Sequence, residues 1–167
     1  MAAKSRKALK VWDIPTRKLL YAKKDDSTSI NCVSFSPDGR RLASGRANRT
    51  IILRNVETGE ALFTWGEQQA DQHPVGILSV CFSPDGKRLA STSGAKVEQN
   101  KVICEVKIWD VSTQQKLLLL DIPENSDHVA SAVFSPDGTR LAVASWDGSV
   151  KIWNVMPRGA DKKLADR

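Results

Sequence analysis

Two histidines and three cysteines are the side chains of this chain best suited to chemistry, and their spacing does not match that of an active site. His73 and His128 are not placed with a serine or cysteine nucleophile, and the sequence contains no His-x-x-x-His pair and no glycine-rich phosphate loop. Cys32, Cys81 and Cys104 are odd in number and lack the paired spacing of a zinc or redox site. We therefore expect no catalytic residue, no metal and no cofactor, and we interpret the cysteines as buried reduced thiols.

The charged residues indicate a basic protein. Lysine and arginine number 25 against 19 aspartate and glutamate, for a formal net charge of +6, which favours acidic partners, including nucleic acid. Many of the basic residues adjoin turns or lie near the termini, which favours solvated charge instead. No apolar run approaches the length of a membrane span, and residues 1–10 lack the apolar core of a signal peptide. We expect a cytoplasmic protein with no membrane partner.

An internal repeat organises the chain. The sequence Phe-Ser-Pro-Asp-Gly occurs at residues 35–39, 82–86 and 134–138, at intervals of 47 and 52 residues. Each copy follows an alternating apolar run and precedes a basic residue and Leu-Ala. Proline presets φ and glycine permits a positive φ, so each copy predicts a tight turn between two strands. The interval is typical of an array of small four-stranded sheets.

A second motif, an apolar residue followed by tryptophan and an acid or amide, occurs at residues 11–13, 108–110 and 152–154. Together with the turn motif it resembles the WD-repeat β-propeller family over residues 8–155. The second repeat departs from the pattern, because residues 53–55 read Leu-Arg-Asn. The resemblance implies an all-β fold, a partial propeller of four-stranded antiparallel blades, and a non-catalytic role in protein–protein interaction.

Counting strands a to d in this register gives two complete and two incomplete blades, which do not close within one chain. A propeller closes with four or more blades, so we expect uncovered end sheets. Another copy packing head to tail, with one redundant strand c at each junction, another polypeptide, or the rest of a longer propeller protein could cover them. The predicted units are a basic tail at 1–7, strands c and d of a first blade at 8–24, a second blade at 30–65, a third at 77–121, strands a to c of a fourth at 129–154, and a charged tail at 156–167.

The resemblance also implies a buried polar network within a blade. Its members are a histidine before strand a, a serine or threonine in strand b, an aspartate in the b–c turn and the tryptophan of strand c, which together satisfy polar groups inside the stacked sheets. In the third blade no aspartate matches, and in the fourth Asn125 takes the place of the histidine. The residues assigned to this structural network are His73, Ser93 and Trp109 in the third blade, and Ser145, Asp147 and Trp153 in the fourth.

The loops that join d to a and b to c emerge on one side of a propeller, which we call the loop face. Residues 66–76 and 94–101 make its long connections, and long loops often carry recognition; for 94–101 an extended hairpin is an equal alternative. We interpret Trp146 as a solvent-facing contact residue, with packing under a neighbouring loop as the alternative. The sequence thus predicts a protein-binding scaffold, or alternatively a basic nucleic-acid-binding module. The partner-binding candidates are Trp146, His128, Arg46, Arg49, Lys96 and Lys101.

Overall fold

The computed structural model describes residues 8–24, 28–67, 71–98, 101–120, 122 and 129–156. All the regular structure in these ranges is β, and they contain no helix long and apolar enough to cross a membrane. The predicted tails, 1–7 and 156–167, lie outside the described residues except for Met156. The strands are β1 Ala8–Asp13, β2 Lys18–Lys24, β3 Ile30–Phe35, β4 Arg41–Arg46, β5 Ile51–Asn55, β6 Ala61–Trp65, β7 Ile77–Phe82, β8 Arg88–Glu98, β9 Lys101–Asp110, β10 Lys116–Leu120, β11 Val129–Phe134, β12 Arg140–Ser145 and β13 Val150–Asn154.

The strands form four antiparallel sheets, each a meander of consecutive strands. Blade 1 is β1-β2, blade 2 is β3-β4-β5-β6, blade 3 is β7-β8-β9-β10, and blade 4 is β11-β12-β13. No sheet closes into a barrel, and in the described part of the chain two blades have four strands. The prediction of an all-β partial propeller with two complete and two incomplete blades is confirmed.

Each Ser-Pro-Asp-Gly segment forms the turn between strands a and b, and side chains of the motif hold it. In blade 3, Ser83 Oγ accepts the N–H of Arg88 at 2.9 Å and Asp85 Oδ1 accepts the N–H of Lys87 at 3.0 Å. Gly86 adopts φ +67° and donates its N–H to the Ser83 carbonyl at 2.9 Å. The other two turns repeat these contacts. The motif therefore encodes its turn locally, without help from the rest of the fold.

The hydrophobic core lies between the blades. Strand residues alternate between the two faces of each sheet, so blades 2 and 3 each pack one face on the preceding blade and one on the following blade. One large cluster joins blade 2 to blade 3, where Trp65 and Trp109 have ring centroids 6.1 Å apart. A second cluster joins blade 3, through Ile108, to blade 4, through Leu141. A small third cluster joins blade 1 to blade 2.

In blades 2 and 3 an arginine at the start of strand b links the blade to the next one along the chain. The Arg88 guanidinium donates to the Gly138 carbonyl at 2.7 Å and lies 5.3 Å from the ring centroid of Phe134. The contact combines a charge-assisted hydrogen bond with a cation–π interaction. Arg41 makes the same pair of contacts one blade earlier, with Gly86 at 3.3 Å and Phe82 at 6.0 Å. In blades 2 and 3 the arginine that follows the turn motif therefore ties the blade to the next one along the chain.

Blade 3 carries one irregular feature, a long hairpin on the loop face. Strand β8 continues to Glu98 and β9 begins at Lys101, with Lys96 paired with Ile103 and Val97 with Val102. The register shifts between Ser93 and Lys96, so the extension is offset by a bulge from the body of the blade. The described residues of 94–101 are therefore strand, as in the extended-hairpin alternative, and their role in recognition stays a prediction.

Candidate interaction face and the buried network beneath it

A buried polar relay anchors the loop face of blade 3. His73 Nε2 lies 2.7 Å from Ser91 Oγ, and the Trp109 indole N–H donates to the same oxygen at 2.8 Å. All three side chains are buried. Ser91 Oγ accepts from the indole and can either donate to His73 Nε2 or accept from it. His73 Nδ1 lies 3.3 Å from Glu105 Oε2, and an ionised carboxylate only accepts, so this contact favours the tautomer with the proton on Nδ1, in which Ser91 donates to Nε2.

The serine of this relay is Ser91 rather than Ser93, which the sequence assignment chose. Ser91 lies opposite Lys107 in the sheet and Ser93 lies opposite Glu105, so the two serines share a face. A shift of two residues keeps a side chain on that face and moves it by about 6.6 Å along the strand. The sequence pattern therefore identified the right face, and only the position of His73 above the sheet selects the serine.

Glu105 supplies the carboxylate of the network, for which the sequence analysis expected an aspartate in the b–c turn and found none. It lies on β9 two residues before Lys107, on the same face of the sheet, and the Lys107 ammonium contacts its Oε2 at 2.9 Å. Burial by itself raises the pKa of Glu105, but the contacts from His73 and Lys107 outweigh it and hold that pKa below its ordinary value. Sequence reasoning missed this residue because it searched the b–c turn, whereas the carboxylate comes from within strand c.

Lys107 ties the loop before strand a to the sheet. Its ammonium donates to the carbonyls of Gln72 at 2.9 Å and Asp71 at 3.2 Å, and the side chain is buried. A buried ammonium needs such partners, since its desolvation is costly. The loop that carries His73 is therefore held at two points, through the imidazole and through Lys107.

The buried histidine predicts a pH-dependent stability. Burial lowers the pKa of His73, against the opposing influence of Glu105, so the unfolded chain binds a proton near pH 6.5 that the folded chain resists. The free energy of unfolding should then fall as the pH drops below about 7, by at most about 1.4 kcal/mol per pH unit for this group. Denaturant titrations at several pH values measure that slope.

The variant His73→Gln separates this effect from the other titrating groups. It should flatten the slope between about pH 5.5 and 7.5. Equal slopes in the wild type and in His73→Gln would show that the imidazole is not the titrating group.

Trp146 occupies the b–c turn of blade 4 and is 66% exposed. The turn is closed by the Ser145 N–H bonded to the Ser149 carbonyl at 3.0 Å and by the Ser149 N–H bonded to Asp147 Oδ1 at 2.7 Å. Gly148 supplies the positive φ of +82° that the turn requires. A large aromatic side chain is therefore presented on a tightly bonded turn.

The remaining partner-binding candidates separate into different environments. Arg46 is only 7% exposed, and burial and the neighbouring Arg54 lower its pKa. Its assignment as a surface contact is therefore wrong, because its side chain lies on the blade 2 face that turns toward blade 1. Arg49 is exposed, at φ +73° in the adjoining turn. Lys96 and Lys101 lie on the extended hairpin of blade 3, and His128 lies outside the described residues.

In blade 4 the sheet register places Val143 where Ser91 lies in blade 3. Val143 lies opposite Lys151 as Ser91 lies opposite Lys107. Ser145 and Asp147 belong to the b–c turn, and Trp153 is partly buried against blade 3. Asn125 is outside the described residues, so the network assigned to this blade stays a prediction.

The described residues also form a cleft of about 500 Å³ between the outer strands of blades 2 and 3. Trp65 and Phe63 line one side, and the ion pair between Lys116 and Asp71, at 3.3 Å, lies at the other. In the described part of the chain, no group of three or more histidine, cysteine or acidic side chains is placed to hold a metal ion.

Comparison with known protein families matches most of the chain. The model "WD domain, G-beta repeat" matches residues 66–97 and 118–154, and the model "Anaphase-promoting complex subunit 4 WD40 domain" matches residues 3–73. Similar curated proteins include WD repeat-containing protein 1 of Xenopus tropicalis, 41% identical over 59% of this chain, and the Periodic tryptophan protein 2 homolog of Schizosaccharomyces pombe, 30% identical over 82%. This chain spans 14% of the length of each of these two relatives.

Proposed function

This chain belongs to the WD-repeat family, whose members are generally non-catalytic protein-interaction scaffolds, and we propose that it binds other proteins through its loop face. The proposal includes a propeller arc that is completed by another copy or another chain. We also propose that this chain is not catalytic. We further propose a cytoplasmic location, which the free cysteines Cys32, Cys81 and Cys104 support because disulfides are rare in that compartment.

The exposure of Trp146 is the observation that carries the proposal. Tryptophan is enriched among the residues that dominate binding energy at protein interfaces. Burial of the exposed indole against a partner removes apolar surface from water, which favours association. The hydrogen-bonded turn beneath it is already ordered, so less conformational entropy is lost on binding. The b–c turn of blade 4 is therefore the point on the loop face that is best suited to anchor a partner.

The anchored loop of blade 3 supports the same face. Lys107 and His73 fix the segment before β7, so this part of the loop face keeps its shape without a ligand. A surface that is organised before binding loses less entropy on association. The positive net charge and the exposed Arg49 favour a partner surface with acidic residues around an apolar centre.

Trp146→Ala tests the proposal directly. We expect the dissociation constant for a protein partner to rise roughly tenfold or more, while the melting temperature stays nearly unchanged because the side chain is mostly exposed. Partners captured with the wild-type chain are titrated by calorimetry against both proteins. Leu117→Ala is the matched control, because Leu117 is an exposed apolar residue on the outer strand of blade 3 and should leave affinity unchanged.

A parallel titration with short RNA and DNA at two salt concentrations tests the nucleic-acid alternative. Binding that falls steeply with salt and persists in Trp146→Ala would favour a phosphate-binding surface. A protein affinity that Trp146→Ala leaves intact would remove the loop face of blade 4 from the interface.

A further inference from the structure

We infer that the cleft between the outer strands of blades 2 and 3 binds an arginine side chain of a partner protein. The Glu67 carboxylate supplies the opposite charge, and the Phe63 ring supplies the surface on which the guanidinium stacks. The inference rests on the proposed function in one respect, that the ligand belongs to a protein, and it adds a site away from the b–c turn of blade 4. Both sheets that form the cleft have four strands, so the cleft does not arise from an incomplete blade.

The packing between blades 1 and 2 shows how the repeat fills the corresponding position at the preceding junction. Tyr21, on the outer strand of blade 1, lies on Gly59 in the c–d turn of blade 2. A Cβ built on Gly59 would lie 2.9 Å from the Tyr21 ring. The aromatic ring can cover this turn because residue 59 has no side chain.

Phe63 and Gln114 hold these two positions between blades 2 and 3. Phe63 has the same register on β6 as Tyr21 has on β2, opposite an apolar residue of the third strand. Gln114 has φ +64° in its turn, as Gly59 has φ +70°. A ring placed on this turn would meet the Gln114 Cβ, and Phe63 instead contacts Trp65 edge-on, with ring centroids 5.0 Å apart, and stays partly exposed in the cleft. One side chain in the turn thus keeps open a space that a ring fills at the preceding junction.

The charged groups of the cleft leave one carboxylate unmatched. Lys116 and Asp71 neutralise each other through an ion pair at 3.3 Å. Glu67 lines the cleft, is exposed, and has no hydrogen bond or ion pair among the described residues. The cleft therefore carries a net negative charge, although the chain as a whole is basic, and a cationic group is the complementary ligand.

The backbone of the cleft favours a cation that donates several hydrogen bonds. The Gln114 carbonyl accepts the Trp65 indole N–H at 2.9 Å, and the Gly66 carbonyl accepts the Gln72 side-chain amide at 3.2 Å. Each of these oxygens has a second lone pair. A guanidinium carries five donors and no acceptor, and its plane stacks on aromatic rings. A metal ion fits less well, because the described residues bring no three acidic, histidine or cysteine side chains together to hold one.

The loop that carries Glu67 is held in place without a ligand. Gly66, directly before Glu67, accepts the hydrogen bond from Gln72, and Asp71, further along the same loop, accepts one from the Lys107 ammonium at 3.2 Å. A site that is organised before binding loses less entropy on association. The volume of about 500 Å³ lies within the range of pockets that take small molecules, so it is sufficient for one long side chain.

Titration of the whole chain with a capped Ala-Arg-Ala peptide tests the inference. The NMR signal of the Trp65 indole N–H reports on the cleft, because this group is bonded to the Gln114 carbonyl. We expect a saturable shift with a dissociation constant of about 1 mM, and roughly threefold weaker binding of the corresponding lysine peptide. A citrulline peptide, which has the shape of arginine without its charge, should not bind. An arginine peptide that leaves the signal unchanged, or a lysine or citrulline peptide that binds as tightly, would overturn the inference.

Two cleft variants and two matched controls assign the binding to individual side chains. Glu67→Gln and Phe63→Leu should each weaken binding of the arginine peptide roughly threefold or more, because one removes the ion pair and the other removes the stacking surface. Glu57→Gln removes an exposed carboxylate from the c–d turn of blade 2, and Leu62→Ala shortens an exposed side chain on β6. Neither control residue lines the cleft, so both variants should bind like the wild type. Far-UV circular dichroism checks that every variant is folded, and unchanged affinity in either cleft variant would contradict the assignment.

The same peptide separates this inference from the loop-face proposal. Trp146 belongs to the b–c turn of blade 4 and does not line the cleft, so Trp146→Ala should keep the wild-type affinity for the arginine peptide. Peptide binding by the wild type, together with a protein affinity that Trp146→Ala leaves intact, would overturn only the loop-face proposal. Absence of peptide binding, together with a protein affinity that Trp146→Ala lowers, would overturn only the inference on the cleft.

Discussion

Trp109→Ala is expected to lower the free energy of unfolding by about 3–5 kcal/mol, the range measured for large-to-small changes at buried aromatic residues. Trp109 is 1% exposed, packs on Trp65 of the preceding blade and donates to Ser91. Its removal leaves a cavity between blades 2 and 3 and takes one donor from the relay that orients His73. Trp109→Phe keeps most of the volume and loses only the hydrogen bond, so it should cost about 1–2 kcal/mol.

The tryptophans of strand c in blades 1 and 4 are natural controls, because they occupy the same sequence position. Trp153 is partly buried and Trp12 is 51% exposed. We expect the alanine variants to rank in the order of burial, with Trp109 the most costly and Trp12 the least, at about 1 kcal/mol or below. Denaturant unfolding at one fixed protein concentration measures all three. Equal losses at the three positions would mean that the end blades are as well packed as the central pair.

Gly66→Ala is expected to destabilise the chain by about 3 kcal/mol through two additive effects. Gly66 has φ +85° at the end of β6, a conformation that costs an alanine about 1–2 kcal/mol. A Cβ at this position would also lie 2.6 Å from the carbonyl oxygen of Arg49, which belongs to the backbone of the neighbouring turn. A shift of the turn away from this contact would strain the hydrogen bond from the Arg49 N–H to the Arg46 carbonyl, at 3.2 Å.

Gly148→Ala isolates the conformational part of this cost. Gly148 has a similar φ of +82°, but a Cβ built on it meets nothing within 4 Å. Its alanine variant should therefore lose only about 1–2 kcal/mol. Thermal melts of the two variants give the comparison, and equal losses would mean that the contact with Arg49 relaxes without cost.

The sequence predicted the strands and turns well because their information is local. The turn motif carries its own hydrogen bonds, from Ser83, Asp85 and Gly86 in blade 3, and the flanking residues alternate with the period of a strand. For residues 94–101 the sequence left a recognition loop and an extended hairpin open, because a strand pattern competed with a loop composition. Whether the two halves of this segment pair is decided by contact between two strands, and amino-acid composition gives no information on such a contact.

The site was predicted less completely because its members meet across elements. His73 and Trp109 were assigned to one network, but the choice between Ser91 and Ser93 depends on where a loop sits above a sheet. Glu105 replaces the expected aspartate from within a strand, and its role depends on Lys107 beside it. In the sequence Arg46 resembles an exposed cation, yet its position on β4 directs its side chain toward the protein interior.

The sequence by itself determined the repeat, the strand alternation, the turn geometry and the family, because each of these follows from residues that are close along the chain. Only the tertiary structure decided which polar groups share a proton relay and which arginine is buried. It also decided that a cleft opens beside Gln114, whereas Tyr21 packs on Gly59 at the preceding junction. The physical reason is that burial and pairing are properties of two surfaces in contact, and a linear pattern describes only one surface at a time.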